Sequence, residues 1–463
     1  MAGMSFFSDM LQSITERGRR LLASGEPSTR MEAEKDISTL CKTLLSSRGE
    51  ASGMALAAEI LERWSALDAA GRQDFVRMLY EEFGPDTLRL ERAIENYRDD
   101  KSSDAVIELH RAAEPQRQEL VRRLNLAPGG TAKLVEMRQN LLAMKDMSEQ
   151  FRAVDADFSH LFSSWFNRGF LTLRPIDWST PADILEKVIR YEAVHEIAGW
   201  EELRRRLVPT DRRCFAFFHP RLADDPLIFV EVALTTSIPS AIADVLNENR
   251  SPIVANEAST AVFYSISNCQ DGLRGISFGN FLIKQVVEDL RRELPGLKTF
   301  VTLSPVPGFA GWLSRLRKAA DSDLDGHTRD TLALLDDAAW ADDPAKVRAV
   351  EPVLMPLAAR YLSKERSDGR RPVDPVARFH LGNGARLERL SFLADRSAKA
   401  MRQSHGLMVN YLYKLDDIEK NHEALAQHGQ IAASAEVRRL AATGPAETGG
   451  GAGRRRQDEK QSA

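Results

Sequence analysis

Cysteine is scarce in this chain of 463 residues: Cys41, Cys214 and Cys269 are too few and too scattered for a disulfide framework or a thiolate zinc site. That scarcity points to a reducing compartment. An excess of one charge is also missing, because 63 basic residues stand against 67 acidic ones and the formal net charge is only -4. Such a balance gives no electrostatic footprint for nucleic acid. No apolar run is long enough to cross a bilayer, so no membrane partner is expected. No repeat of fixed period is evident, which sets a solenoid aside. What is present is apolar material for real cores, 43% of the residues, on a chain long enough for two or three domains.

Residues 1–168 read as helix after helix. Met54, Ala57, Ile60, Leu61, Trp64 and Leu67 share one face of a helix over 51–69, and Phe75, Met78, Leu79 and Phe83 share a face of the next, which Gly84-Pro85 ends. Further helices are expected over 88–97, 105–113, 116–124, 131–144 and 151–166, with Ala127-Pro-Gly-Gly130 the clearest break. The sum is a bundle of about seven or eight members. At Gly169 the grammar changes. A strand at 170–173 is followed by a helix from Pro181 to Ala193 capped by Ser179 or Thr180, a helix at 200–207, and strands at 214–218 and 227–234. Glu231 lies inside the last of these. A carboxylate there is paired, faces a cleft or sits on a solvated face, since burying it alone costs several kcal/mol.

The stretch from Ala261 to Gly308 carries the strongest pattern. Ala261-Val-Phe-Tyr-Ser-Ile-Ser267 alternates and is rich in β-branched and aromatic residues, so it reads as a strand. Gly272, Gly275 and Gly279 then punctuate a loop, and Phe278, Leu282, Val286, Leu290 and Leu294 fall four apart along a helix that Pro295-Gly296 stops. Strand, glycine loop and helix N-terminus make an anion seat, whose free N–H groups and helix dipole suit a pyrophosphate. The plain alternative is a glycine-containing loop and nothing more. A second strand, Thr299-Phe-Val-Thr-Leu-Ser304, ends in Pro305-Val-Pro-Gly308 and puts Ser304 at the strand edge where open α/β sheets bind ligands. Cys269, with no basic partner motif, reads as a small filler residue.

Beyond Ser304, helices are expected over 311–320, 328–337, 344–350 and 352–362, forming an insertion or lid. His380, trailed by Gly382 and Gly384, is expected where the chain turns and not in a packed helix. One more strand covers 406–414 with Tyr411 and Tyr413 on the same face, and a helix covers 415–428. From Ala441 the chain turns Gly-rich and then charged and should be disordered. The expected division is a helical domain at 1–168, a domain of mixed strands and helices at 169–440 and a tail at 441–463.

Three chemistries compete for these residues. Gly275-Ile-Ser-Phe-Gly279 matches the nucleophile-elbow form G-x-S-x-G, with Asp374 and His380 or His405 following in the order of a serine hydrolase. The loop 268–274 intervenes between strand and Gly275, however, whereas an elbow places its serine directly on the strand-to-helix turn. The second reading is an acyl-CoA acyltransferase whose glycine loop holds the pyrophosphate while pantetheine runs between splayed strands toward Ser304. The third keeps that cradle and changes the reaction.

The blocks Phe263-Tyr-Ser-Ile-Ser267, Gln270-Asp-Gly-Leu-Arg-Gly275, Gly279-Asn-Phe-Leu-Ile-Lys284, Leu303-Ser-Pro-Val-Pro-Gly-Phe309, Phe379-His-Leu-Gly-Asn-Gly-Ala385 and Gly406-Leu-Met-Val-Asn-Tyr-Leu-Tyr413 together resemble malonyl-CoA decarboxylases. The likeness covers most of the chain. It implies a helical domain followed by a mixed-sheet catalytic domain of the GNAT (acyl-CoA N-acyltransferase) fold, with malonyl-CoA as substrate and no metal or organic cofactor. By that resemblance Ser304 and His380 match the family's catalytic serine, a proton acceptor, and histidine, a proton donor. Tyr413 matches a tyrosine near the active site. Arg274, Gly275, Ile276, Ser277, Phe278, Gly279 and Asn280, with Ile283, match the CoA-binding segment. Ser277 falls where animal members carry a glutamate, so the network behind Ser304 and His380 can differ here. The resemblance also implies a homo-oligomer, dimer or tetramer. The N-terminal residues resemble neither a secretory signal nor an organelle presequence, and Gln461-Ser-Ala463 is no peroxisomal address, so the expected location is the cytoplasm.

Overall fold

The computed structural model describes residues 10–20, 36–46, 49–144, 148–276, 278, 282–319, 322–367 and 369–443. The loop positions Ser277, Gly279 and Asn280 lie outside the described residues, as does the expected tail from 444 onward. Residues 441–443, assigned to the tail by composition, instead belong to a helix at Ala435–Thr443 that buries Val437 and Ala441.

The N-terminal half follows its apolar periodicity. Helices occupy Ile37–Leu45, Glu50–Ala66, Ala69–Glu82, Thr87–Asp99, Ser103–Ala113, Gln116–Leu124, Gly130–Ala143 and Glu149–Trp165. Several begin where a short acceptor side chain takes an otherwise orphaned amide: Asp36 accepts from Thr39, Asp68 from Gly71, Asp86 from Arg89 and Ser102 from Ala105. Their inner faces bury Leu40, Ile60, Trp64, Leu79, Leu120, Leu134 and Phe162. One charged pair is buried with them. Arg117 donates to Asp157 at 2.5 Å and Gln118 donates to its other oxygen at 2.6 Å, so the carboxylate is satisfied on both sides.

Eight strands are found among the described residues: β1 (Thr172–Ile176), β2 (Arg212–His219), β3 (Leu222–Thr235), β4 (Thr260–Asn268), β5 (Thr299–Thr302), β6 (Ser304–Pro305), β7 (Arg386–Ser391) and β8 (Met408–Leu412). The sheet order is β1-β2-β3-β4-β5-β8-β6, with β7 paired to β8. It is mixed: β4 and β5 are parallel, while β8 runs antiparallel to β5, β6 and β7. A helical region followed by a mixed-sheet region is the architecture expected from the sequence.

By contacts the chain divides into two compact units. The first comprises Met1–Leu207, Cys214–Val230 and Ile266–Leu282; besides the helical core it has a cluster of Ile176, Val188, Leu203, Ala216, Phe218 and Phe229. The second comprises Val208–Arg213, Glu231–Ser265 and Ile283–Ala463, with a cluster of Val262, Tyr264, Val301, Leu303 and Met408.

Several local expectations are corrected. The strand expected at 170–173 starts at Thr172 and runs through Pro175, after a 3-10 turn at Arg168–Phe170. β1 is an edge strand, where a missing N–H costs little. The following helix is capped by Pro181 without a side-chain bond, because the Thr180 hydroxyl closes a turn onto the Asp177 amide instead. The expected helices at 344–350 and 352–362 are one, Pro344–Ser363, with Pro352 and Pro356 inside. An internal proline costs about 3 kcal/mol. Burial of Val350, Leu354, Leu357, Tyr361 and Leu362 along one side outweighs it, at about 1.5–3 kcal/mol for each large apolar side chain. Glu231 is wholly buried, which removes the solvated-face reading.

Candidate functional site

The site grows from two places in the second unit. The first is the end of β5. The strand expected to run from Thr299 to Ser304 is interrupted: Thr299–Thr302 pairs with β4, the Leu303 amide donates to the Phe263 carbonyl, and Ser304 then pairs with Val409 of β8. Thr302 and Ser304, two residues apart, bring their hydroxyls within 2.9 Å. Both are buried.

The second is a helix, Pro375–Gly382, and here a sequence expectation fails: His380 is not in an open turn but in the last turn of this helix, 3% exposed. Asp374 caps the helix, accepting from the Val376 and Ala377 amides at 2.9 and 3.0 Å, and Pro375 fills the first helical position. The Asp374 carboxylate also meets the Gly308 amide and the Tyr361 hydroxyl, each at 3.3 Å. One carboxylate thereby fastens the start of the histidine's helix to the corner that follows Ser304. Burial pushes its pKa up, while the hydrogen bonds it accepts pull it back down. Gly308 permits the close approach, since a Cβ there would lie 2.3 Å from the Tyr361 hydroxyl.

His380 Nε2 lies 3.2 Å from Ser304 Oγ, and Nδ1 lies 2.8 Å from the Tyr413 hydroxyl. The imidazole stacks on Tyr411, with ring centroids 4.7 Å apart. Burial pushes the imidazole down from 6.5 to about 3, so it is neutral near pH 7 and carries a single proton. Burial likewise pushes the Tyr413 hydroxyl up, so it remains protonated. The Tyr411 amide donates to Thr302 Oγ1 at 3.1 Å, and Asn410 Nδ2 donates to the Thr302 carbonyl at 2.7 Å.

The result is a buried chain of groups, Tyr413, His380, Ser304 and Thr302, each able to give or accept a proton. Run one way, Tyr413 donates to Nδ1, Nε2–H to Ser304 and Ser304 to Thr302. Run the other way, every donor becomes an acceptor. The first polarity presents an N–H at Nε2, the second a lone pair. Such an arrangement can deliver or remove one proton at the serine end.

The remaining candidates are distributed differently. In the first unit, Gly275 is exposed with φ +82°, Ile276 is buried, and the exposed Arg274 side chain pairs with Asp271 at 3.2 Å. Phe278 is half-buried, and Ile283, in the second unit, is buried in the helix Leu282–Glu293. Among the described residues, Asp374 and His380 do not pair as in a serine hydrolase: Nδ1 of His380 is taken by Tyr413, and Asp374 is spent on capping, while Ser277 lies outside the described residues. His405 is half-buried beside Phe309. Burial pushes the Cys269 thiol well up, which suits a packing residue and not a nucleophile. Among the described residues no group of three His, Cys, Asp or Glu side chains could hold a metal ion, and no helix is long and apolar enough to cross a membrane.

Sequence reasoning missed Thr302, Asn410 and Tyr361. A signal for Thr302 was available, since residues i and i+2 of a strand share a face. Asn410 and Tyr361 enter through tertiary contacts that no local pattern announces.

Known proteins match this chain over most of its length. The malonyl-CoA decarboxylase C-terminal domain matches residues 169–449 and the malonyl-CoA decarboxylase N-terminal domain matches residues 83–166. The mitochondrial malonyl-CoA decarboxylase of Anser anser anser is 33% identical over 414 residues, covering 82% of each chain. Among crystal structures, malonyl-CoA decarboxylase from Agrobacterium vitis is 71% identical with a TM-score of 0.84, covering 88% of this chain and 99% of its own. That from Rhodopseudomonas palustris is 61% identical with a TM-score of 0.85, covering 87% and 98%. This chain belongs to the malonyl-CoA decarboxylase family.

Proposed function

We propose that this protein is an enzyme that decarboxylates malonyl-CoA to acetyl-CoA and CO₂. The observation that carries the reading is the 3.2 Å contact between Ser304 and His380, in a chain of that family. The bond between the α-carbon and the carboxylate breaks, CO₂ leaves, and its electron pair passes into the thioester as an enolate. A proton then forms the new C–H bond, so each turnover consumes one proton. Donors aimed at the enolate oxygen lower the barrier, by about 3–4 kcal/mol for one good donor.

Each residue has a distinct part. Ser304 hydrogen-bonds the departing carboxylate and holds it out of the thioester plane, where the breaking bond overlaps the carbonyl π system. His380 supplies the proton from Nε2, directly to the α-carbon or through the serine hydroxyl. Tyr413 makes this possible by donating to Nδ1, which keeps the imidazole proton on the side facing Ser304. Arg274 to Asn280, with Ile283, form the CoA-binding segment of this reading. No metal or organic cofactor enters it. The same reading has residues 1–168 as a helical domain used in assembly, 169–440 as the catalytic domain, a homo-oligomer of two or four chains, and a cytoplasmic location.

Mass spectrometry of malonyl-CoA incubated with the pure protein tests the reaction. Acetyl-CoA and CO₂ formed with no acceptor present support it. Release of free CoA would indicate a hydrolase, and consumption only on addition of an amine would indicate an acyltransferase.

A further inference from the structure

A buried cation of the helical part of the first unit reaches the glycine loop. Arg138, on the helix Gly130–Ala143, is 3% exposed. Its Nε pairs with Asp155 at 2.8 Å, and one terminal nitrogen donates to Ser159 Oγ at 2.9 Å, both on the helix Glu149–Trp165. The other terminal nitrogen donates to two loop carbonyls, Gly272 at 2.7 Å and Arg274 at 2.9 Å. One turn earlier on the same helix, the Val135 carbonyl lies where Gly272 would carry a Cβ, only 2.0 Å away. The loop backbone is therefore seated against this helix at two points, and only glycine fits the second.

We infer that Arg138 is a positioning residue for substrate binding: it holds back the carbonyls of Gly272 and Arg274 so that the loop presents the Gly275 amide to the phosphates of the thioester's nucleotide end, the amides of Leu273, Arg274 and Ile276 being spent on turns within the loop. In a trans peptide the C=O and the following N–H point opposite ways. Drawing the Gly272 and Arg274 carbonyls toward Arg138 turns the N–H groups of Leu273 and Gly275 away from the helix. The Leu273 amide closes the 3-10 turn onto Gln270, and Gly275 adopts φ +82° as the chain leaves the clamp. Asp155 neutralises the guanidinium, so the clamp adds hydrogen-bond direction without leaving a buried charge unpaired. The Arg274 side chain takes no part; it is exposed, and only its carbonyl is held.

This rests on the reading of the loop as the CoA seat, and the test separates the two. Full-length wild type and the variants Arg138→Lys, Asp155→Asn and Gly275→Val are titrated with CoA by calorimetry and assayed on malonyl-CoA. Arg138→Lys is expected to raise both Kd and KM about tenfold or more while kcat stays within about twofold. Asp155→Asn keeps both carbonyl bonds, so it should lower the melting temperature and leave Kd within about twofold. A wild-type Kd in Arg138→Lys, or an equal loss in Asp155→Asn, overturns the clamp. If Gly275→Val binds CoA as wild type does, the loop reading fails and the clamp with it. Hydrogen exchange on wild type needs no variant to fold: CoA should protect the Gly275 amide, and unchanged exchange there at saturating CoA overturns the proposal.

Discussion

Removing one hydroxyl, by Tyr413→Phe, isolates the proton chain from everything else in the site. Tyr413 and His380 are 2% and 3% exposed, so water does not replace the lost partner of Nδ1. Leaving a buried polar group unsatisfied costs about 1–3 kcal/mol. Part of that appears as lost stability whatever the residue does. The catalytic part is separate: as Nε2 gives up its proton, Nδ1 needs the tyrosine proton more strongly than in the resting state, and phenylalanine has none to give. If the whole cost falls on the transition state, kcat drops by about 5- to 150-fold, while KM, set elsewhere, stays within about twofold. Steady-state release of CO₂ and acetyl-CoA measures this, with thermal melting run beside it. A variant that melts earlier yet retains wild-type kcat would refute the reasoning and reduce Tyr413 to a packing residue.

Ser304→Ala and His380→Asn are each expected to lower kcat by about 10²-fold or more with CoA affinity preserved, and unchanged turnover in either rejects its role. Thr302→Val removes the hydroxyl on which Ser304 rests and strands the Tyr411 amide; it should lower kcat less than Ser304→Ala and cost about 1–3 kcal/mol of stability, read by denaturant melts. Acid should destabilise the fold. His380 is held at about 3 and His405 at about 4, both below 6.5, so the unfolded chain binds protons that the folded one refuses. The stability these neutral rings carry is complete above pH 6.5 and is lost progressively as pH falls toward 3; a melting temperature unchanged between pH 7 and pH 5 would count against their burial as neutral rings.

Local periodicity makes much of this molecule legible from its sequence. The N-terminal helices, β4 and the helix Leu282–Glu293 follow residues whose spacing and burial agree. Gly382 and Gly384 read locally as turn formers for His380 itself, whereas Asp374-Pro375 six residues earlier is a helix start and those glycines mark its end. Pro352 misled in the opposite sense: its local cost is real, but the apolar side of Pro344–Ser363 is long enough to override it. The break that separates β6 from β5, and the short strand β7, go unannounced because two to six residues carry too little alternation to separate from loop. The serine and histidine were found by resemblance. Their contact depends on a pairing of β6 with β8 across about a hundred residues of sequence, which no window on the chain can see.

The single residue between Thr302 and Ser304 has a consequence for how this chain can vary. Leu303 is fully buried in the cluster around Val262, Tyr264 and Met408, while the hydroxyls on either side of it meet each other. Side-chain direction alternates along an extended backbone, so inserting or deleting one residue here would exchange the two faces, sending a hydroxyl into the apolar layer and a hydrophobe toward the imidazole. Substitutions at this position cost packing; a change in length would cost the reaction. Natural variation in segment length is therefore expected in the connections before Thr299 and after Gly308, and not between them.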